Sequence, residues 1–327
     1  MTDVSIAPIT PPLGPPSDST RIEAGGVGDR IYRWVITSFA LVVPILLCIV
    51  AYAVFKAGWP AFHKFGFGFF TGSDWDAVNG KFGAAPAIYG TIVTSLIALL
   101  IATPLAVGVA IFLSEFAPPI VRQPIAFLVD LLAAIPSVVY GLWGIFVLVP
   151  FVRLHLTPFL KDTLHLGSLP IFDGPAYGYG MLSASLILAI MVLPYISAVT
   201  REVLLAVPRS QREAALALGA TRWEMIWDAV LPYARTGIIG GIILGLGRAL
   251  GETMAVTMVI GNRPEISASL LAPGYTMASI IANEFSEATN DLHISALMAV
   301  GATLFLVTII VNAIARWLVW RTNRGNA

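Results

Sequence analysis

The sequence predicts an all-α integral membrane protein, with six transmembrane helices and a cytoplasmic helix-turn-helix loop between the fourth and fifth. Three observations carry that expectation. The 327 residues are 57% hydrophobic and only 12% charged, at a mean hydropathy of +0.84, whereas soluble domains run at about 25% charged. Six stretches approach or exceed the roughly 20 mostly apolar residues that a spanning helix needs: 31–56, 88–113, 125–152, 180–200, 235–261 and 294–320. The basic residues, finally, are divided unevenly between alternate loops.

The N-terminal stretch, 1–29, is rich in proline, serine and glycine, including the run PPLGPP. It has little to bury and is expected to be a disordered tail. The first apolar segment exceeds the 7–15 residues of a signal-peptide core, and no A-x-A site follows it. A retained helix is therefore expected. Residues 57–87 hold Phe62, Phe65, Phe67, Phe69, Phe70 and Trp75, then Asp76. Partly alternating aromatics fit a short amphipathic or hairpin-like segment at the outer interface, the depth that aromatic rings favour. The third and fourth spans contain Pro136, Pro150 and Pro194, which blur their ends. The loop at 153–179 is punctuated by proline and glycine. Its His155 and His165 have no other candidate ligand nearby, so no metal site is expected.

Twelve basic residues fall on one side: Arg21, Arg30, Arg33, Arg122, Arg201, Arg209, Arg212, Arg222, Arg235, Arg316, Arg321 and Arg324. Six fall on the other: Lys56, Lys64, Lys81, Arg153, Lys161 and Arg263. By the positive-inside rule both termini and the loop before the fifth span are cytoplasmic. The expected division is a tail at 1–29, a six-helix membrane domain at 30–321 with its loop at 209–234, and a second tail at 322–327.

Several function classes drop out. Zero net charge argues against nucleic-acid binding. The single cysteine, Cys48, permits no disulfide within the chain and no four-cysteine zinc site. No P-loop is present, so an ATPase would have to be a separate chain. No cofactor and no covalent chemistry are expected.

The loop between spans four and five is unusually structured. Ser210 is placed to cap a helix starting near Gln211, with Glu213 at the third position of a capping box. Gly219 suits a left-handed C-cap. Thr221, with Glu224 three residues on, is placed to cap a second helix that carries Trp223, Ile226 and Trp227 and ends near Pro232. The pattern Glu213-Ala214-Ala215, Gly219, then Leu231-Pro232 resembles the EAA loop of ABC importer permeases, a fairly specific 20-residue motif. Ala229 departs from the isoleucine common in that family at a packing position. The resemblance implies a type I importer permease whose loop fits a groove on a cytoplasmic ATPase.

In the fifth span Gly237, Gly241 and Gly245 repeat every four residues, and Gly247 and Gly251 repeat on another face. Small residues at that spacing let helices approach closely. Arg248 and Glu252 differ, because a charge at bilayer depth is costly and such residues usually face a water-filled path or a partner. At i and i+4 they share a helix face and can pair. A guanidinium binds phosphate in a bidentate fork; a lone one would release it slowly. Glu252 would make the contact transient and accept a hydrogen bond from a protonated phosphate, which sulfate cannot offer at neutral pH. A purely structural pair stays open on the residues alone.

The segment Gly245–Asn262 (GLGRALGETMAVTMVIGN) closely resembles the C-type permease subunits of phosphate-importing ABC transporters. IYGTIVTS (88–95), LLAAIPSVVYGLWG (131–144), Trp75-Asp76 and NEFSEA (283–288) do so too. This resemblance covers essentially residues 30–320. It implies a bacterial plasma-membrane location and a heterodimer with an A-type permease subunit. It also implies two copies of a cytoplasmic ATP-binding subunit, an external phosphate-binding protein, and alternating access driven by ATP. Alternatives are a permease for another oxyanion such as sulfate or molybdate, a proton-coupled carrier with Glu252 as relay, and a non-transporting scaffold or sensor. No convincing internal repeat supports the carrier.

Overall fold

The computed structural model describes residues 27–324. The expected disorder of the N-terminal tail lies outside these residues, apart from its last three, which are helical. Helix α1 runs over Val27–Phe65. Its part up to Tyr52 belongs to one compact unit; Ala53 onward forms a second. The second unit then builds a short α2 (Gly68–Thr71), a two-stranded hairpin β1 (Trp75–Asp76) and β2 (Lys81–Phe82), and α3 (Ala85–Phe116). Next come α4 (Pro119–Ala134), α5 (Ser137–Thr163), α6 (Met181–Leu205), α7 (Arg209–Ala217) and α8 (Arg222–Leu250). The last helices are α9 (Met254–Val259), α10 (Met277–Glu284) and α11 (Asp291–Arg324). Among the described residues, six helices are long and apolar enough to cross a membrane: α1, α3, α5, α6, α8 and α11.

Helix α6 is the centre of the second unit. Two thirds (67%) of its most apolar window is buried, against 33% for α3 and 28% for α8, which pack on it. Alanines 98, 102 and 106 of α3 recur every four residues and meet Ile187, Val192 and Ile196 of α6 in one core with Leu246 and Ala249 of α8. Small residues at that spacing bring helix backbones together where lipid supplies no hydrophobic drive between helices.

Three sequence expectations need correction. The third span begins at Ser137, not 125. Ile135 precedes Pro136 and takes an extended ψ of 128°, the conformation proline imposes on its neighbour, so residues 119–134 form the separate helix α4. The helix capped by Thr221 does not stop near Pro232. Pro232 follows a π-helical stretch, Met225–Val230, near the start of an α-helical run from Leu231. There the wider turn accommodates the missing N–H, so loop helix and span are one rod, α8. The fifth span, expected to reach 261, breaks after Leu250. Gly251 to Thr253 lie outside helix, and α9 follows as a separate piece.

Candidate functional site

The loop before α8 forms two helices and a turn. Helix α7 starts at Arg209 after Pro208, without a side-chain cap, so Ser210 is inside the helix and does not cap it. Proline precedes the first turn, where a side-chain acceptor was expected. The other end follows the sequence reading. Gly219 adopts φ +90°, its N–H bonds Leu216 O at 3.0 Å, and the Ala220 N–H bonds Ala215 O at 3.2 Å, a Schellman closure that a side chain would strain. Thr221 and Glu224 form the expected capping box, the Thr221 N–H bonding Glu224 Oε2 at 2.7 Å. Ala215 and Leu231 lean on a small core of Leu204, Val207, Met225, Ile226 and Val230. Glu213, Ala214, Gly219 and Pro232 are exposed, and so are Leu218 (90%), Trp223 and Trp227. Apolar side chains held outward on a rigid turn make a ready docking surface.

One residue of this loop escaped the sequence reading. Arg212 forks onto Glu115 at the end of α3, with Nε–Oε2 at 3.2 Å and Nη2–Oε1 at 2.8 Å. It also donates to Val207 O (2.6 Å) and Leu204 O (2.8 Å). The Glu115 side chain is only 8% exposed. The only available signal was an acidic residue closing an apolar span, and nothing in one dimension pairs it with a residue 97 positions away.

Within the membrane region Arg248 Nη1 meets Glu252 Oε2 at 2.7 Å. The i,i+4 geometry is not that of one continuous helix, because α8 ends between the two residues. Glu252 is buried, its side chain 3% exposed, and its Oε1 accepts the Ala255 N–H at 3.3 Å. The carboxylate therefore ties the end of α8 to the start of α9. Arg248 is 36% exposed, its guanidinium carbon lies 5.9 Å from the Tyr195 ring centroid, and it lines a cleft of about 440 Å³.

The five glycines divide. A Cβ at Gly245 would sit 2.7 Å from Ile196 and one at Gly237 2.5 Å from Val203, whereas one at Gly241 would meet Val199 at 3.2 Å, all on α6. Gly247 meets nothing within 4 Å and Gly251 only the Gly247 carbonyl; both line an apolar cleft of about 420 Å³ with residues of α10 and α11.

At the opposite end, two sequence segments come together. Trp75 Nε1 donates to Glu284 Oε2 at 2.8 Å, the Tyr275 hydroxyl donates to Glu284 Oε1 at 3.2 Å, and His293 Nε2 lies 2.9 Å from Glu284 Oε2. Burial pushes the Tyr275 phenol up, well above its usual range. Asp76 accepts from Asn79 Nδ2 and from the Val78 and Asn79 N–H groups. The Asn79 side-chain bond leads in holding its carboxyl below 3.8. Among the described residues no group of three metal-ligating side chains occurs.

Residues 102–324 match the family described as binding-protein-dependent transport system inner membrane component. A phosphate transport system permease protein PstC from Mesorhizobium japonicum is 48% identical over 295 residues, covering 90% of each chain. One from Xylella fastidiosa is 49% identical over 300 residues, covering 90% of this chain and 92% of that one. A probable PstC from Methanocaldococcus jannaschii is 40% identical over 288 residues, at 86% and 90% coverage. Among solved structures, a bacterial alginate ABC transporter shares the fold at a TM-score of 0.58 and 17% identity, covering 90% of this chain and 97% of that one. The inward-facing MetNI methionine ABC transporter does so at 0.52 and 17%, covering 73% and 94%. With its six membrane helices, its helix-turn-helix loop and these matches, the chain belongs to the PstC phosphate transport system permeases, within the family of binding-protein-dependent transport system inner membrane components.

Proposed function

We propose that this membrane subunit passes inorganic phosphate across the plasma membrane of its cell, with Arg248 as a passing contact for the anion and Glu252 as the group that keeps that contact weak. The observation that carries the site is the Arg248–Glu252 pair. The guanidinium has a partner on one nitrogen, yet it is over a third exposed in an open cleft, while the carboxylate is buried behind it. A guanidinium already neutralised on one edge attracts an oxyanion without trapping it. Phosphate as cargo is supported by the close relatives named PstC.

The remaining assignments follow. The chain partners other subunits of an ABC importer. In this reading they are an A-type permease, two copies of a cytoplasmic ATP-binding subunit and an external phosphate-binding protein. The helix-turn-helix loop, α7 with the start of α8, acts as a knob: Glu213, Ala214, Ala215 and Gly219, with the exposed Leu218 and Trp223, seat it in the ATPase, and Leu231-Pro232 pass its movement into α8. Both termini and the knob are cytoplasmic, in keeping with the twelve-to-six distribution of basic residues. The permease domain spans 30–321, its coupling loop 209–234. ATP binding moves the knob, and the continuous rod of α8 carries that motion to Arg248. The chain itself catalyses no covalent step.

Phosphate uptake by cells carrying Arg248→Ala, Arg248→Lys or Glu252→Gln, with sulfate and molybdate as competitors and assembly checked in parallel, tests the reading. Uptake should be lost in Arg248→Ala while the complex still assembles. Normal uptake in that variant would remove Arg248 from the path, and failed assembly would make the pair structural.

A further inference from the structure

The cleft that Arg248 enters holds a second arginine. On α8 it is lined by Gly240, Ile243, Leu244, Gly247 and Arg248, a stripe at i, i+3, i+4, i+7 and i+8; on α11 it is lined by Asn312 and Arg316, one turn apart; Tyr195 completes it. No carboxylate lines it. Glu252, the counter-ion of Arg248, is not among the lining residues, and among the described residues no Asp or Glu pairs with Arg316. The cleft thus presents two permanently charged guanidiniums between largely apolar walls, a setting that focuses a positive field and draws in anions. Asn312 commits its amide nitrogen to Thr308 O at 2.9 Å, which leaves its carbonyl oxygen to accept a proton donor. Gly240 and Gly247 leave the floor open, since a Cβ at either would meet nothing within 4 Å.

We infer that Arg316 and Asn312 form, with Arg248, a second contact site for a tetrahedral phosphate-type oxyanion, nearer the cytoplasmic end of the path. This rests on the orientation and cargo proposed above. Among the described residues no carboxylate competes for Arg316, so it attracts the anion as Arg248 is reclaimed by Glu252. Asn312 accepts from the P–OH of a protonated phosphate, as it could not from sulfate. Gly240 to Arg248 spans about 12 Å of helix, which is long enough for two successive positions of one small anion. A phosphate group reaches such a cleft from two sources, the transported anion or a lipid headgroup, and the site is assigned here to the former.

The test uses the whole importer reconstituted in vesicles loaded with ATP, with its binding protein and radiolabelled inorganic phosphate outside. Arg316→Gln is compared with Arg316→Lys, and Gly240→Leu fills the cleft while leaving both arginines in place. The expectation is a loss of maximal uptake by about tenfold in Arg316→Gln, the worth of one charge-assisted contact. Arg316→Lys should restore part of it, and Gly240→Leu should show a comparable loss. The same pattern should appear in galactolipid vesicles, whose headgroups carry no phosphate. A defect that disappears in galactolipid would give the site to a lipid headgroup and overturn its place on the path. Wild-type rates in both Arg316→Gln and Gly240→Leu would overturn this inference alone, whereas absence of phosphate uptake by the unaltered importer would overturn the cargo reading beneath it.

Discussion

Arg212 is the side chain that ties the loop helix α7 to the membrane domain, and its removal has a calculable effect. Its two bonds to Glu115 and two to the carbonyls of Val207 and Leu204 join α3, the end of α6 and α7. Arg212→Ala removes all four and strands a carboxylate whose side chain is 8% exposed. Breaking a buried pair from one side costs about 3–5 kcal/mol. Arg212 is itself 18% exposed, so the lower end applies, about 3 kcal/mol, or roughly a hundredfold in the docking equilibrium of α7. Glu115→Gln keeps the shape and one acceptor but loses the charge, for about 1.5 kcal/mol, or tenfold. Removing both partners leaves no stranded charge, so the double variant Glu115→Ala/Arg212→Ala should be milder than Arg212→Ala alone. The assay is amide hydrogen exchange of residues 209–220 in the assembled importer, with the Gly219 and Ala220 amides as reporters of the turn. Alongside it, ATP hydrolysed per phosphate imported is measured. Faster exchange and a higher ratio are expected in Arg212→Ala. Wild-type exchange there, or a double variant as damaged as the sum of the singles, would refute the idea that this fork holds the knob.

Two further outcomes follow from geometry. Gly245→Val should destabilise the fold, because even its Cβ would sit 2.7 Å from Ile196 on the central helix; overpacking of this kind costs about 1–3 kcal/mol, whereas Gly240→Val, which meets nothing in this chain, should leave thermal stability of the subunit unchanged, both read by a melting assay in detergent. The hairpin turn at 76–79 should be insensitive to pH from 8 down to about 5, because a carboxyl whose folded pKa lies below its ordinary value contributes stability above the unfolded pKa and loses it only as pH falls through the folded one; fluorescence of a variant retaining Trp75 as its sole tryptophan follows this, and Asp76→Asn should remove the acid transition.

Much of the fold was legible because membrane insertion imposes a one-dimensional rule. Six apolar lengths were visible, and six long apolar helices are found. The turn at Gly219 and the cap at Thr221 were equally legible, since each is made by residues within five positions. Errors fell where neighbours decide. Hydropathy joined 125–134 to the third span, although Pro136 forces an extended residue before it. It ran the fifth span to 261, although the Glu252 carboxylate, bridging Arg248 and the Ala255 N–H, holds the chain in a break. Pro232, read as an end, lies inside a continuous rod.

The candidate site divides in the same way. Arg248 and Glu252 announced themselves by being charged where lipid excludes charge, and the motif at 213–232 is contiguous. Arg212 bonds Glu115 and Trp75 bonds Glu284 across 97 and 209 positions, and Arg248 and Arg316, far apart in sequence, line one cleft. By itself the sequence determined class, span number, the knob and the presence of an intramembrane charge, because hydrophobic length, capping and glycine's left-handed freedom act locally. The tertiary structure decided which glycines pack and which leave a cleft open. It also decided that Glu115 answers Arg212, since packing and ion pairing depend on distances that only the folded chain brings about.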